Sequence, residues 1–138
     1  MQKTYREIET FLVHAGARLE KVAQGKDTKF LYALKKMQKK CSELFRAHLE
    51  TREDIEIEHA ATDKDGVILK EANGVTIRHT KDGMKARTKA LREAYNSTVE
   101  FQPHYAPAPD DITEAERDAY EGIVLAPAAD ELHLVESA

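Results

Sequence analysis

Hydrophobic residues recur at three- and four-residue steps in three stretches of the chain, which predicts three amphipathic helices. The stretches cover about residues 3–24, 27–59 and 82–95. Helix 1 takes its apolar face from Tyr5, Ile8, Phe11, Leu12, Ala15, Leu19 and Val22. In helix 3 the corresponding positions are Met84, Thr88, Leu91 and Tyr95. The second stretch is the longest, and it carries the most regular pattern.

Helix 2 carries a heptad seam, because its apolar positions step alternately by four and three residues. The seam consists of Phe30, Leu34, Met37, Cys41, Leu44 and His48. A helix of this length would span roughly 50 Å, which is long for one small domain. We therefore expect a second copy of the chain to cover the seam, with an interface at Phe30, Leu34, Met37, Cys41 and Leu44. The alternative is that helix 1 and the apolar segment Ile123–Leu125 close it within one chain.

A β-hairpin is predicted between helices 2 and 3, at about residues 67–80. Asp63–Gly66 reads as a turn, followed by strands at Val67–Leu69 and Val75–Thr80. Asn73-Gly74 suits a type I′ turn, in which both central residues have positive φ. A hairpin between two helices returns the chain antiparallel, so the basic helix 3 is expected along the acidic half of helix 2.

The C-terminal third predicts an extended segment and then a short helix. Val99, Phe101 and Tyr105 fit extended structure around a proline. Thr113 and Glu116 form a capping box that opens a helix, which Gly122 ends. The predicted fold is α+β and mainly α, with antiparallel helices, an inserted hairpin and a short C-terminal helix. Residues 1–125 form one expected domain, and residues 126–138 an acidic tail.

Charge is distributed in alternating blocks, although the net charge of the 138 residues is only −4. A basic face on helix 2 comprises Lys35, Lys36, Lys39 and Lys40. Such a face can contact a phosphate backbone, or it can be a solvated surface that docks the chain's own acidic C-terminal block. The negative total charge and the absence of aromatic residues among the lysines favour the second interpretation.

No catalytic or metal-binding constellation is evident in the sequence. Asp63-x-Asp65-Gly66 resembles the start of a calcium loop, but Ala61 and Ala72 would occupy the first and twelfth ligand positions. Cys41 stands alone and is expected to be a small buried hydrophobe. We therefore expect no enzyme, no metal and no cofactor. No apolar run reaches the roughly 18 residues of a membrane-spanning helix, so no membrane partner is expected.

The order of these features resembles a group of small uncharacterised proteins of tailed bacteriophages and prophages. The matching stretches are Lys29–Leu44, Thr62–Gly66, Ala72–Gly74, Lys89–Asn96, Thr98–Phe101 and Asp111–Gly122. The resemblance implies a phage-encoded protein from the region near the tail genes. It implies no catalytic residues.

These patterns favour a non-enzymatic interaction or assembly protein that forms a homo-oligomer through the helix 2 seam. The alternative is a small regulator that binds nucleic acid or a host protein through the lysine-rich face. The expected partner is a second copy of the chain or another phage or host protein, with nucleic acid less favoured. The expected location is the cytoplasm of a bacterial host, or the virion.

Overall fold

The computed structural model describes residues 1–21 and 27–127. The elements are β1 (Gln2–Thr4), α1 (Tyr5–Glu20), α2 (Thr28–Glu58), α3 (Lys81–Asn96), β2 (Thr98–Glu100) and α4 (Glu114–Tyr120). This arrangement confirms the predicted α+β, mainly α fold, including one long helix. Residues 128–138 of the predicted acidic tail lie outside the described residues.

The chain divides into two compact units. Unit 1 comprises Met1–Phe45 and Thr98–Ala138, and unit 2 comprises Arg46–Ser97. The helix α2 begins in unit 1 and ends in unit 2. The single domain expected over residues 1–125 stays a prediction.

The first residues of unit 1 form a strand rather than the start of a helix. β1 pairs antiparallel with β2, with Lys3 opposite Val99. Thr4 then caps α1, because its hydroxyl accepts a hydrogen bond from the Glu7 backbone N–H while the Glu7 carboxylate accepts one from the Thr4 N–H. The predicted helix start at residue 3 was therefore wrong by two residues. The partner of β1 lies almost a hundred residues away in sequence, so no local pattern could indicate it.

A continuous hydrophobic core fills unit 1. Its fully buried members from α1 and α2 are Ile8, Phe11, Ala15, Phe30, Ala33, Leu34, Met37 and Cys41. The Tyr120 ring lies between the two helices, with its centroid 5.7 Å from that of Phe11 and 5.8 Å from that of Phe30. Burial of each large apolar side chain contributes about 1.5–3 kcal/mol, so this cluster dominates the stability of unit 1.

The end of the described chain closes this core. Thr113 and Glu116 form the predicted capping box at the start of α4. Gly122 follows the helix with a φ of +80°, a conformation that glycine adopts readily. Ile123, Val124 and Leu125 then pack into the core with at most 6% exposure. The segment Ile123–Leu125, called the apolar plug below, thus docks into the core of unit 1, as the alternative of closure within one chain expected.

In unit 2, α3 packs antiparallel along the second half of α2. The His48 ring contacts the Tyr95 ring at 4.4 Å between centroids, and the Arg52 guanidinium lies 5.6 Å from the centre of the Tyr95 ring. At the opposite end, Arg87 pairs with Glu56 at 2.5 Å. The basic helix therefore lies along the acidic half of α2, as the charge blocks predicted.

The connection between these helices is a β-hairpin of irregular form. Lys70 lies opposite Ile77 in an antiparallel bridge, the pairing that a two-residue turn at Asn73-Gly74 gives. Continuous strands at Val67–Leu69 and Val75–Thr80 do not form. Instead, three backbone hydrogen bonds connect three short segments in a ring, from Ala61 N–H to Arg78 O, from Leu69 N–H to Ala61 O, and from Arg78 N–H to Leu69 O.

The Asn73-Gly74 turn differs from the predicted type I′ turn. Gly74 has a φ of +72°, but Asn73 is not among the described residues with positive φ. The Asn73 side-chain oxygen instead accepts hydrogen bonds from the backbone N–H groups of Val75 and Thr76, both at 2.9 Å. A type I′ turn requires positive φ at both positions, so that prediction was wrong. Side-chain bonding to the turn backbone replaces ladder hydrogen bonds here.

Candidate functional site

The residues predicted as a homo-oligomer interface lie in the core of unit 1. Phe30, Leu34, Met37 and Cys41 have at most 1% exposure, and Leu44 packs half-buried against the same cluster. A side chain that is fully buried within one chain cannot contact a second chain. The packing thus matches the alternative closure within one chain. Self-association stays a prediction, but the four fully buried residues do not provide a surface for it.

The opposite side of α2 carries exposed lysines. Lys29, Lys35, Lys36 and Lys39 are exposed, and Lys40 is half-buried. Together these five residues are called the lysine face. No ion pair joins any of them to a carboxylate within residues 1–21 and 27–127. The face is therefore open to an external anion as far as the described chain is concerned.

An exposed aromatic ring lies within the lysine face. Tyr32 is 61% exposed, one helical turn from both Lys29 and Lys36. The His104 ring meets it edge to face, with 5.5 Å between centroids. Lys36 Nζ lies 3.3 Å from His104 Nδ1. In neutral His104 the Lys36 ammonium donates to Nδ1, which leaves the proton on Nε2 as a further donor.

The apolar plug positions His104 beside α2. The His104 backbone N–H donates to the Ile123 carbonyl at 3.0 Å, and the Ala106 N–H donates to the Val124 carbonyl at 2.9 Å. Because Ile123 and Val124 are buried in the core, the segment around His104 is held by fixed backbone. The lysines, Tyr32 and His104 thus form a surface supported by two rigid parts of unit 1.

A second polar cluster joins α1 to α4. The Arg18 guanidinium donates two hydrogen bonds to the Glu116 carboxylate and two to Asp111, one to its carboxylate and one to its backbone carbonyl. The hydrogen bonds from Arg18 hold the pKa of Glu116 down at about 2. The Tyr120 hydroxyl donates to the His14 carbonyl at 3.0 Å, and burial raises the pKa of Tyr120. Since the hydrogen-bonding groups of this cluster are paired with one another, we assign the cluster a role in stabilising the fold rather than in binding a ligand.

A groove of about 840 Å³ runs beside this cluster. Its walls include His14, Arg18, Phe30 and Glu116. Lys21 and Asp27, which flank the undescribed residues 22–26, also line it. No ligand site is assigned to a groove whose border includes that gap.

The remaining candidate residues have structural roles. The Asp63 carboxylate accepts hydrogen bonds from the N–H groups of Asp65 and Val67, at 2.8 and 3.0 Å, so Asp63–Gly66 is a turn. Burial raises the pKa of the Cys41 thiol to about 12. Within the described ranges, no group of three or more His, Cys, Asp or Glu side chains could hold a metal ion. Nor does any helix there combine the length and apolar character needed to cross a membrane.

Sequence reasoning missed Tyr32 and His104. Tyr32 stands three residues after Lys29 and four before Lys36, a spacing that places all three on one helix face. This spacing was available in the sequence and contradicts the expectation that no aromatic residue interleaves with the lysines. His104 carried no such signal, because 68 residues separate it from Lys36.

Comparison of the chain with family models, curated proteins and solved structures finds no significant match. Function must therefore be inferred from the residues of this chain.

Proposed function

We propose that this protein is a non-enzymatic binding protein whose lysine face contacts an anionic partner, and that single-stranded nucleic acid is the partner class that fits best. The observation that carries the proposal is the exposed Tyr32 ring within the lysine face, held against His104 and next to Lys36. Proteins that bind single strands without sequence preference combine cationic side chains, which contact the phosphate backbone, with aromatic rings on which bases stack.

Electrostatics supports an anionic partner. Lys29, Lys35, Lys36 and Lys39 are exposed on about three turns of α2, and no described carboxylate pairs with them. The net charge of −4 does not oppose local binding, because screening confines the field of exposed charges to about 8 Å at physiological salt. Binding of a polyanion therefore depends on the local cluster of cations rather than on the net charge of the whole chain.

The aromatic ring discriminates between anionic partners. An acidic peptide or a duplex needs only the cations, whereas a base of a single strand also gains from stacking on Tyr32. Tyr32 remains 61% exposed beside His104, so much of its surface is accessible to a base. A single strand thus uses more of this surface than the other two partner classes.

The affinity of a labelled oligothymidylate, measured by fluorescence anisotropy, tests the proposal. We expect binding that weakens with salt and that is tighter than binding of a duplex or of poly-glutamate. Tyr32→Ala should weaken binding about 5- to 150-fold, since stacking contributes about 1–3 kcal/mol per base, and Tyr32→Phe should retain it.

The cations need a matched control. Lys35→Gln with Lys36→Gln should weaken binding and flatten the salt dependence, by about 0.7 in the logarithmic slope for each phosphate that the variant no longer neutralises. Lys64→Gln with Lys70→Gln removes the same charge from exposed positions in unit 2 and should leave binding unchanged. Equal affinities for single strand and poly-glutamate would favour an acidic protein partner instead.

The origin and location of the protein stay part of the proposal. An origin in tailed phages, and a location in the cytoplasm of a bacterial host or in the virion, rest on the resemblance in the order of sequence features. A regulator that binds nucleic acid is compatible with either location. Self-association of the chain would need a surface other than the buried seam.

A further inference from the structure

We propose that unit 2 is an association module in which the outer face of α3 on one copy docks against the outer face of α2 on a second copy. Neither face belongs to the lysine face or to the core of unit 1. The proposal is independent of nucleic-acid binding, because it uses different residues and a different partner.

The outer face of α3 is a basic stripe. Lys81, Lys85, Lys89 and Arg92 follow one another at three- and four-residue steps, and all four are exposed. None of them forms an ion pair with a described residue. In contrast, Arg87 on the inner side of α3 is paired with Glu56. The basic residues of α3 thus divide into a paired inner residue and an open outer stripe.

The second half of α2 carries a matching acidic face. Glu50, Glu53, Asp54 and Glu58 are exposed there, on the side away from α3. The side toward α3 holds His48 and Ile55, which are buried. The acidic face therefore has the same number of charges as the basic stripe, with the opposite sign.

Both faces also expose apolar side chains. Ile57 is 54% exposed within the acidic face, and Met84 is 43% exposed at the edge of the basic stripe. A phosphate backbone gives these side chains no partner, whereas a second helix does. The apolar positions therefore favour a helical protein surface over nucleic acid as the occupant of the basic stripe.

Spacing of like charges within each helix supports an external partner. Glu50 and Asp54 are four residues apart, as are Lys81 and Lys85 and then Lys85 and Lys89. Like charges at this spacing repel and destabilise an isolated helix. A second copy that brings the opposite charge to each face relieves this repulsion.

The acidic face lies on α2 and the basic stripe lies on α3. Each is on the side of its helix that faces away from the other helix, so the two point in opposite directions. A contact between the acidic face of one copy and the basic stripe of the next leaves one face open at each end. Such a heterologous contact forms a ring where the rotation closes and a linear array where it does not. We therefore expect association beyond the dimer at high concentration and low salt.

Sedimentation velocity of the full chain, at concentrations up to about 0.5 mM and at several salt concentrations, tests the proposal, because small charged interfaces are weak and salt-sensitive. We expect the apparent Kd to rise at least about tenfold from about 0.05 M to 0.5 M salt. A single monomeric species throughout would overturn the proposal, as would association that salt does not affect.

Charge reversal identifies the faces. Lys85→Glu with Lys89→Glu cancels the net charge of the basic stripe and leaves the acidic face intact. Glu50→Lys with Asp54→Lys cancels the net charge of the acidic face and leaves the basic stripe intact. Each reversal keeps like charges four residues apart, so helix stability should change little, and circular dichroism checks this. Each variant alone should associate at least tenfold more weakly than the natural chain, and a mixture of the two should associate again.

The exposed residues Lys64 and Lys70 provide the control for the Lys85 and Lys89 reversal, since Lys64→Glu with Lys70→Glu changes the net charge by the same amount without touching either face. That variant should associate like the natural chain. Failure of the mixture of folded variants to associate would overturn the proposal. A monomeric natural chain that binds duplex DNA, and loses it on reversal of Lys85 and Lys89, would assign the stripe to nucleic acid instead.

Discussion

Arg18 and Glu116 form a two-hydrogen-bond ion pair that connects α1 to α4. The Arg18 Nη2–H donates to Glu116 Oε1 at 2.8 Å, and Nε–H donates to Oε2. Both side chains are largely shielded from water, at 15% and 12% exposure. A bidentate geometry with little solvent around it makes this pair stronger than an ordinary surface ion pair.

Replacing the arginine should destabilise unit 1. Arg18→Ala leaves the Glu116 carboxylate half-buried without its main donor, and we expect a loss of about 2 kcal/mol in the free energy of unfolding. Urea denaturation measures this loss. The neighbouring Arg117 is exposed on α4, and Arg117→Ala should change the free energy by less than about 0.5 kcal/mol. Equal effects of the two variants would contradict the role of the pair.

The same pair predicts how stability depends on pH. The Arg18 hydrogen bonds lower the Glu116 pKa to about 2 from an ordinary value of 4.5. The folded state therefore binds this proton less readily than the unfolded state, so the pair stabilises the fold above pH 4.5 and loses that contribution as the pH falls toward 2. Thermal melts of the natural chain and of Glu116→Gln should converge across this window, and parallel curves would contradict the assignment.

Two glycines should respond in opposite directions to the same substitution. Gly74 has a φ of +72° and open space around it, so Gly74→Ala meets no clash but places an L-residue in a left-handed conformation, at a cost of about 1 kcal/mol. Gly16 lies inside α1, also with open space, and Gly16→Ala should stabilise by up to about 1 kcal/mol. Melting temperatures that shift in the same direction would contradict this backbone assignment.

Burial of the α2 seam in unit 1 predicts that a charge there prevents folding. Leu34 has 0% exposure, and Leu34→Asp would bury an unpaired carboxylate, at a cost of at least about 4 kcal/mol. We expect loss of cooperative unfolding as followed by circular dichroism. Val13 is 65% exposed on α1, and Val13→Asp should fold normally. A folded Leu34→Asp monomer would instead place Leu34 at an interface between chains.

The helices could be predicted from the sequence because their signals are local. The seam of α2 and the capping box of Thr113 and Glu116 each depend on residues within a few helical turns. The charge match between α2 and α3 follows once the hairpin between them is taken to reverse the chain direction. The apolar plug Ile123–Leu125 was likewise evident as an isolated hydrophobic run. Except for the charge match between α2 and α3, each of these signals lies within one short segment.

What the sequence did not indicate is how the seam is covered. Tyr120 enters the core between Phe11 and Phe30, and this contact is non-local. Without this contact, the length of helix 2 led to the expectation that a second copy of the chain covers the seam. The strand pairing of Lys3 with Val99 could not be predicted for the same reason. At Asn73, side-chain hydrogen bonding to the turn prevailed over the usual preference of an Asn-Gly pair.

Half of the candidate site could be predicted. Lys35, Lys36, Lys39 and Lys40 were evident as a basic face, and the helical spacing of Tyr32 from Lys29 and Lys36 was available too but was overlooked. His104 reaches the face only because its backbone bonds to Ile123. A site formed by two segments that are distant in sequence can be recognised only from the three-dimensional structure.

Chemical-shift mapping tests the central claim, which is that the lysine face with Tyr32 and His104 binds a single strand. The measurement is a two-dimensional ¹⁵N–¹H NMR titration of the full chain with an oligothymidylate of about ten nucleotides, within the usual site size of single-strand binders. We expect progressive, salt-sensitive shifts confined to residues 29–40 and to the backbone around His104, with Val13 unchanged. An absence of shifts on α2, or shifts confined to Lys81–Arg92 on α3, would contradict the claim.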